Sequence, residues 1–143
     1  MYRLSQKLAL CLAVIIGLIL LLDYLIVTDR EAIEQLIRTG IDRVNAGDVD
    51  GVMALVSPTY QHEGRDFEGL RQTLINAMQQ VRQYTHSLLK YSIEVPGEHG
   101  SATIDVLSRP GPKAMTPPMM TSWQLGLREM EDGWFVTEID RGQ

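Results

Sequence analysis

The sequence predicts a small α+β domain that follows one N-terminal membrane helix. An uncharged apolar run occupies residues 8–22. Apolar residues then recur every three or four positions through residues 29–82, which indicates helices with one buried side. From residue 84 onward apolar and polar residues alternate, which indicates strands with one buried face. Helices followed by antiparallel strands form an α+β domain, in which the helices pack on one face of the sheet.

The apolar run constrains the location of the rest of the chain. Residues 8–22 have the sequence LALCLAVIIGLILLL. Continued through residue 27, a helix rising about 1.5 Å per residue spans the roughly 30 Å apolar core of a bilayer. No cleavage site of small residues follows the run. We therefore expect an uncleaved anchor over residues 1–28, rather than a cleaved signal peptide or a buried core helix.

Charged residues beside the run predict the orientation of the anchor. Arg3 and Lys7 precede the run, whereas acidic residues follow it. The positive-inside rule then predicts a cytoplasmic N-terminus and an extracytoplasmic domain at residues 29–143. Asp23 and Tyr24 are expected at the outer membrane interface, where an acidic group costs less than at the centre of a span.

The composition limits the functional classes. The anchor leaves about 115 of the 143 residues, which is the usual size of one compact domain. The net charge is −5 and no basic stripe with interleaved aromatic residues is present, so no nucleic-acid partner is expected. Cys11, the only cysteine, lies in the apolar run, so we expect a domain without disulfides. We expect no cofactor, and no residues at ligand spacing predict a metal site.

Three helices are predicted in the first half of the domain, each opened by a capping residue. Thr28 and Glu31 form the T-x-x-E pattern of a capping box, and Asp48 and Asp66 precede two further apolar stripes. A short strand is predicted between the second and third helices. The predicted helix ends are at residues 45–47, 57–58 and 81–82, and the predicted strand is at residues 59–63.

The first predicted β-hairpin has one apolar face, and a long loop follows it. Residues 109–118 contain four prolines, so they are not expected in a central strand. This loop is either an adaptable lid or partner contact, with methionines beside it, or a plain connection. The apolar positions of the hairpin are Leu89, Tyr91, Ile93 and Val95 on one strand and Ala102, Ile104 and Val106 on the next.

The last predicted hairpin turns at the Asp-Gly step, residues 132–133. With these two residues at the turn, cross-strand partners have numbers that sum to 265, so Leu125 is expected opposite Asp140. Asp140 then shares a face with Trp123 and Trp134. The alternation does not decide which face of the sheet meets the helices.

Several segments, in this order, resemble the nuclear transport factor 2-like superfamily, including its SnoaL-like domains. The resemblance covers residues 29–141. It implies a cone-shaped, cystatin-like fold in which a curved antiparallel sheet wraps a long helix, with a pocket between them and frequent dimerisation through the sheet. The segments are AGDVDGVMAL at 46–55, SPTY at 57–60, the start of the third helix at 64–69, WQL at 123–125 and EDGWFV at 131–136.

The resemblance also implies two kinds of function. Some members are isomerases, dehydratases or polyketide cyclases, whereas many others only bind or assemble. Catalytic members use a carboxylate or histidine in an apolar pocket, with a hydrogen-bond donor that stabilises an enolate. No residues here align with a known isomerase or cyclase, so no catalytic role is carried over. The catalytic candidates are Asp140, His62, His86 and Tyr60, and the expected pocket residues are Tyr60, Tyr84, Trp123 and Trp134.

Each candidate also has a structural interpretation. Asp66 stands where a helix cap is expected, and Asp140 lies near the C-terminus, where an exposed acid is ordinary. His62 has polar neighbours typical of a solvent-facing position, and His99 lies in a polar turn. His86 begins a strand and is expected near the mouth of the pocket. The structural interpretation of Tyr60 and Tyr84 is that each is an aromatic residue at the edge of the core.

Two functional hypotheses follow. In the first, the domain is a non-catalytic module that binds a small apolar ligand or a protein, held at a membrane through residues 8–27 and dimeric through its sheet. In the second, it is a membrane-tethered isomerase, dehydratase or cyclase for a small apolar substrate, with Asp140, His62 or His86 as base. The scattered acid–base residues favour the first. Convergence of His62, Asp140 and a tyrosine on one buried cavity would favour the second.

Overall fold

Helices packed on one face of a four-stranded antiparallel sheet form the domain, which confirms the predicted α+β class. A computed structural model describes residues 2–25 and 28–142, with the side chains of residues 2–5, 23–25 and 81 excluded. The elements are α1 (Tyr2–Leu25), α2 (Asp29–Ala46), α3 (Val49–Met53), β1 (Gln61–His62), β2 (Arg65–Asp66), α4 (Phe67–Val81), β3 (Tyr84–Glu94), β4 (His99–Pro110), β5 (Met119–Met130) and β6 (Gly133–Arg141).

The apolar run forms most of helix α1, and its side chains are exposed from residue 6 to residue 22. Over the residues that the structure describes in full, no helix is long and apolar enough to cross a membrane. The predicted transmembrane helix is therefore not supported there. Residues 26–27 of the predicted span, and the side chains of Asp23 and Tyr24, lie outside the described part.

The predicted capping residues open the helices of the domain. Thr28 Oγ1 accepts a hydrogen bond from Glu31 N at 3.3 Å, and Glu31 Oε2 accepts one from Thr28 N at 3.2 Å, which completes a capping box. Gly47 ends α2 in the left-handed conformation, with φ of 69°. Asp48 and Asp66 cap α3 and α4 by accepting from backbone N–H groups three residues on, at 2.9 and 2.7 Å.

The strand predicted at residues 59–63 is shorter than expected and forms one arm of a small hairpin. β1 and β2 pair in antiparallel fashion, and the two residues between them, Glu63 and Gly64, have φ of 50° and 76°. Two successive positive φ angles are typical of a type I′ turn, so Glu63 belongs to the turn and not to a strand. The preceding chain covers the edge of β6, because Val136 exchanges backbone hydrogen bonds of 2.9 and 2.8 Å with Leu55 and Ser57.

The main sheet has the order β3-β4-β5-β6. Its buried face packs against the helices, with Ile104 and Leu127 among the buried side chains and Ile33 and Ile37 contributed by α2. β4 continues to Pro110, two residues into the predicted loop. Because proline is tolerated at the end of a strand, where no further ladder N–H is needed, the exposed loop spans residues 111–118.

Two β-bulges change which residues face the helices. In β3 the register shifts between Leu88 and Lys90, so Leu89 is an extra residue. In β6 the partners of Gly126 and Leu127 are two residues apart, which leaves Thr137 as the extra residue. Because side chains alternate along a strand, one extra residue exchanges the two faces over the rest of that strand. Leu89 is consequently 54% exposed and not on the buried face, contrary to the prediction.

The predicted pairing of the last hairpin is wrong. The turn lies at residues 131–132, since Met130 pairs with Gly133, and the bulge shifts the register again. Gln124, and not Leu125, is therefore opposite Asp140. Beyond the bulge Ile139 packs against the core, and Asp140 lies on the opposite face from Trp134, the reverse of the prediction.

Candidate functional site

A cavity of about 650 Å³ lies between the sheet and the helices. Helices α2, α3 and α4 and all four strands of the main sheet contribute to its wall, and the size is typical of sites for small organic ligands. Most of the lining is apolar: Leu36, Ile37, Gly40, Ile41, Val44, Val52, Leu55, Val56, Leu74, Ile104, Val106, Met119, Trp123, Leu125, Val136 and Ile139. The polar lining residues are Gln80, Gln83, Tyr84, His86, Ser108 and Thr121.

The cavity occupies one end of the core because the other end is filled. Near the start of α2, Ile33 and Trp134 pack so closely over Gly100 that an added Cβ there would lie 3.2 and 3.4 Å from them. We call this the filled end. The cavity-lining residues of α2 run from Leu36 to Val44, toward its C-terminus, and we call this region the cavity end.

A histidine–serine pair stands on the sheet wall of the cavity. His86 of β3 and Ser108 of β4 are cross-strand partners, with 2.8 Å between His86 Nδ1 and Ser108 Oγ. Ser108 is only 5% exposed. Tyr84 lies on the same face, and Thr121 Oγ1 accepts a hydrogen bond from the Trp123 indole N–H at 3.1 Å. The pair therefore gives a mainly apolar cavity a local set of hydrogen-bonding groups.

Asn45 and the β3 bulge together position His86. The Asn45 side-chain amide donates to the His86 carbonyl and accepts from the His86 backbone N–H, both at 2.8 Å. Because β3 is an edge strand, no strand is available to pair with those backbone groups. If Leu89 took part in the regular alternation and formed no bulge, counting back from Tyr91 would place His86 on the outer face of the sheet.

A second histidine pair lies outside the cavity. His62 Nε2 and Asp140 Oδ1 are 2.8 Å apart, which connects β1 to β6. The His62 and Asp140 side chains are 20% and 38% exposed. The Tyr60 ring meets the His62 ring edge-on, with 6.5 Å between centroids. The predicted group of His62, Asp140 and a tyrosine therefore does come together, but none of the three lines the cavity.

Electrostatic effects at this second pair follow from its contacts. The hydrogen bond that His62 donates to Asp140 raises the pKa of His62 above 6.5, and partial burial opposes the rise. Burial raises the pKa of Tyr60 above 10. Ligand atoms of His62, Glu63 and Asp140 all lie within 4.8 Å of one another, so these residues can offer three ligands to a metal ion. His62 Nε2 already bonds to Asp140, and Glu63 is exposed.

Comparison with known proteins identifies the fold. No family model matches the sequence, and no curated protein is significantly similar to it. A protein of unknown function from Pseudomonas putida, described as nuclear transport factor 2-like (NTF2-like), superimposes with a TM-score of 0.67 and 15% identity, over 77% of this chain and 82% of its own. A candidate ketosteroid isomerase from Shewanella frigidimarina superimposes with a TM-score of 0.65 and 17% identity, over 78% of this chain and 94% of its own. An NTF2-like protein with a cystatin-like fold from Novosphingobium aromaticivorans superimposes with a TM-score of 0.66 and 16% identity, over 89% of this chain and 86% of its own. The domain has the NTF2-like fold.

Within the NTF2-like domain, the four expected pocket residues separate into two groups. Tyr84 and Trp123 line the cavity. Trp134 does not, because it packs at the filled end, and Tyr60 does not, because it is buried in the core beside His62. Of the catalytic candidates, only His86 lines the cavity.

The remaining candidates are explained by their places in the fold and not by the cavity. Asp66 is the N-cap of α4, as its structural interpretation predicted. His99 is exposed at the start of β4. The sequence analysis missed Ser108 and Asn45. Ser108 continues the alternation of the apolar positions of β4 and was detectable from that pattern, whereas the contact of Asn45 with His86 spans 41 residues and has no local signal.

Proposed function

We propose that the NTF2-like domain is a ligand-binding module that takes a small, largely apolar molecule into its cavity. The cavity carries this proposal: about 650 Å³ of space has an almost entirely aliphatic and aromatic wall, with a few polar groups on its sheet side. Apolar ligands are bound by removing their surface from water, and the polar groups fix their orientation. A core of this size without a ligand would leave its wall poorly packed.

We further propose that α1 holds the domain at a membrane, with the domain on the extracytoplasmic side. Apolar side chains between residues 8 and 22 are each about half exposed or more, on all sides of the helix, and such a surface requires an apolar environment. Protease treatment of sealed vesicles tests the orientation: digestion only after the vesicles are opened would contradict it for right-side-out vesicles. Dimerisation through the outer face of the sheet stays a proposal, which sedimentation of the full chain in detergent would test.

The enzymatic alternative has one specific observation in its favour. His86 and Tyr84 both line the cavity, so a base and a hydroxyl donor are available to a bound substrate, as an isomerase, dehydratase or cyclase requires. The structural relatives include a candidate ketosteroid isomerase. No carboxylate lines the cavity in the described part of the chain, which favours binding without catalysis. Exchange of the α-protons of a bound ketone with solvent, abolished by His86→Gln, would instead favour the enzyme.

The two tryptophans of the chain provide a test of the binding proposal. Trp123 lines the cavity, whereas Trp134 lies at the filled end and donates its indole N–H to Asp29, the first residue of α2. A brominated long-chain alcohol quenches a nearby tryptophan. We expect the full chain in lipid nanodiscs to show saturable quenching in Trp134→Phe, which retains Trp123, and little quenching in Trp123→Phe.

The second variant is also the control for alcohol dissolved in the bilayer. Trp134 is close to the junction with α1, so a membrane-located quencher would reach it at least as readily as Trp123. Equal quenching of the two tryptophans, or no saturable quenching of Trp123, would contradict the proposed binding site.

A further inference from the structure

We propose that the ligand of the cavity is an amphipathic carboxylate, with its apolar body inside the cavity and its carboxylate held at the rim by Arg82 and Lys113. This inference rests on the proposed function and adds the chemical class of the ligand. It is argued from the distribution of charge at the rim, from the positions of the two cations and from the apolar depth of the cavity.

Charge is segregated along the chain around the cavity. The chain carries a net charge of −5, yet residues 69–93 and 106–128 contain no acidic residue. These two segments hold six of the 13 basic residues and none of the 18 acidic ones. They also supply every polar lining residue of the cavity. An anion approaching this part of the surface therefore meets positive charge on a protein that repels it elsewhere.

Two of these basic residues adjoin the exposed rim. Gln83 is an exposed residue of the cavity lining. Lys113 lines a shallow depression together with Gln83, and the Gly111 N–H donates to the Gln83 carbonyl at 3.1 Å, which holds the loop there. Arg82 precedes Gln83, and its guanidinium lies close over Gly47, at the C-terminus of α2. Both cations are therefore within a side-chain length of the rim.

Neither cation is neutralised by a carboxylate in the described residues. The ion pairs found there use Arg38, Arg71 and His62 as their basic partners. Asp48 is next to Gly47 in sequence, but its carboxylate caps α3 by accepting from the Gly51 N–H at 2.9 Å. A ligand carboxylate would thus supply the negative charge that the protein does not place at this rim.

Away from its few polar lining residues, the cavity offers apolar contacts for a chain or ring system. Its wall on the helix side is formed by residues such as Leu36, Ile41 and Leu55, and on the sheet side by Ile104 and Leu125. A ligand with one polar end and an apolar body matches this division. A molecule with polar groups along its length would leave them without partners, which costs free energy.

The test compares a brominated fatty acid with the alcohol of the same chain, at about pH 7.5, where a carboxyl group is ionised. The full chain in nanodiscs carries Trp134→Phe, so that quenching reports from Trp123. We expect the acid to bind about tenfold more tightly than the alcohol. The double variant Arg82→Gln/Lys113→Gln should abolish most of that preference and leave the affinity for the alcohol unchanged.

A charge-matched control removes two other cations from the same acid-free segments. Lys90 and Arg128 are exposed at other positions of the sheet, and the Lys90→Gln/Arg128→Gln variant has the same net charge as the rim variant. It should keep the preference for the acid. Loss of the preference in both variants, or in neither, would contradict the role of Arg82 and Lys113.

The outcomes separate this inference from the proposed function. Equal binding of acid and alcohol would overturn the carboxylate as the ligand class, while the cavity remains a binding site. Saturable quenching by neither probe would overturn both. Preference for the acid that disappears only in the rim variant supports both.

Discussion

The two histidine pairs use similar chemistry in opposite settings. His86 bonds to Ser108 on the wall of an apolar cavity, whereas His62 bonds to Asp140 where both side chains reach solvent. The carboxylate, which is the stronger base partner, is thus kept away from the cavity. The cavity receives a neutral hydroxyl instead. This difference supports the proposed binding module over the enzyme, and the histidine–carboxylate pair connects β1 to β6.

Each pair depends on a β-bulge. The extra residue Leu89 turns His86 toward the cavity, and the extra residue Thr137 turns Asp140 away from the buried face. Because a single residue decides the face in each case, one further residue inserted beyond a bulge should exchange inner and outer side chains over the end of that strand.

Insertion of one alanine between Glu138 and Ile139 should have the largest effect on stability. The alanine would take the place opposite Leu125, so Ile139 would move to the outer face and Asp140 to the buried face, opposite Trp123. A carboxylate there would be without its histidine partner, and we expect the free energy of unfolding of the full chain to fall by about 3 kcal/mol or more. Chemical denaturation followed by circular dichroism measures this loss.

The matched control inserts one alanine after Ala114, in the exposed loop at 111–118. This insertion changes no strand register, so its cost should stay below about 0.5 kcal/mol. Similar costs for the two insertions would contradict the control of the face by a single residue.

Local signals predicted the elements, and the bulges limited the prediction of the site. The capping box at Thr28 and the helix caps at Asp48 and Asp66 depend on contacts three residues apart, so sequence spacing was sufficient to find them. Leu89 and Thr137 are ordinary strand residues, and nothing in their type marks an insertion. The face of Asp140 was therefore predicted wrongly, although its strand was predicted correctly.

Replacing Asn45 with alanine should have an intermediate effect. Two hydrogen bonds of 2.8 Å to the His86 backbone would be lost on an edge strand, which we expect to cost about 1–2 kcal/mol of unfolding free energy. Quenching of Trp123 by the bromo alcohol should also weaken, since His86 loses its support. Asn76→Ala, an exposed substitution on α4, is the control and should cost nothing measurable. An Asn45→Ala protein as stable as this control would argue against a supporting role of Asn45 for the His86 backbone.

The smallest expected effect is at the His62–Asp140 pair and is best seen in its pH dependence. Since the Asp140 hydrogen bond raises the pKa of His62, the pair stabilises the fold fully below about pH 6.5, the ordinary histidine value. That contribution is lost as the pH rises through the raised pKa, because the neutral ring then forms a weaker bond. Asp140→Asn should therefore reduce stability more at about pH 5.5 than at about pH 8.5. NMR titration of the histidine rings should show the pKa of His62 falling in this variant. An unaltered His62 pKa in Asp140→Asn would mean that the carboxylate does not hold the ring in solution, and the contrast between the two histidine pairs would then rest on position alone.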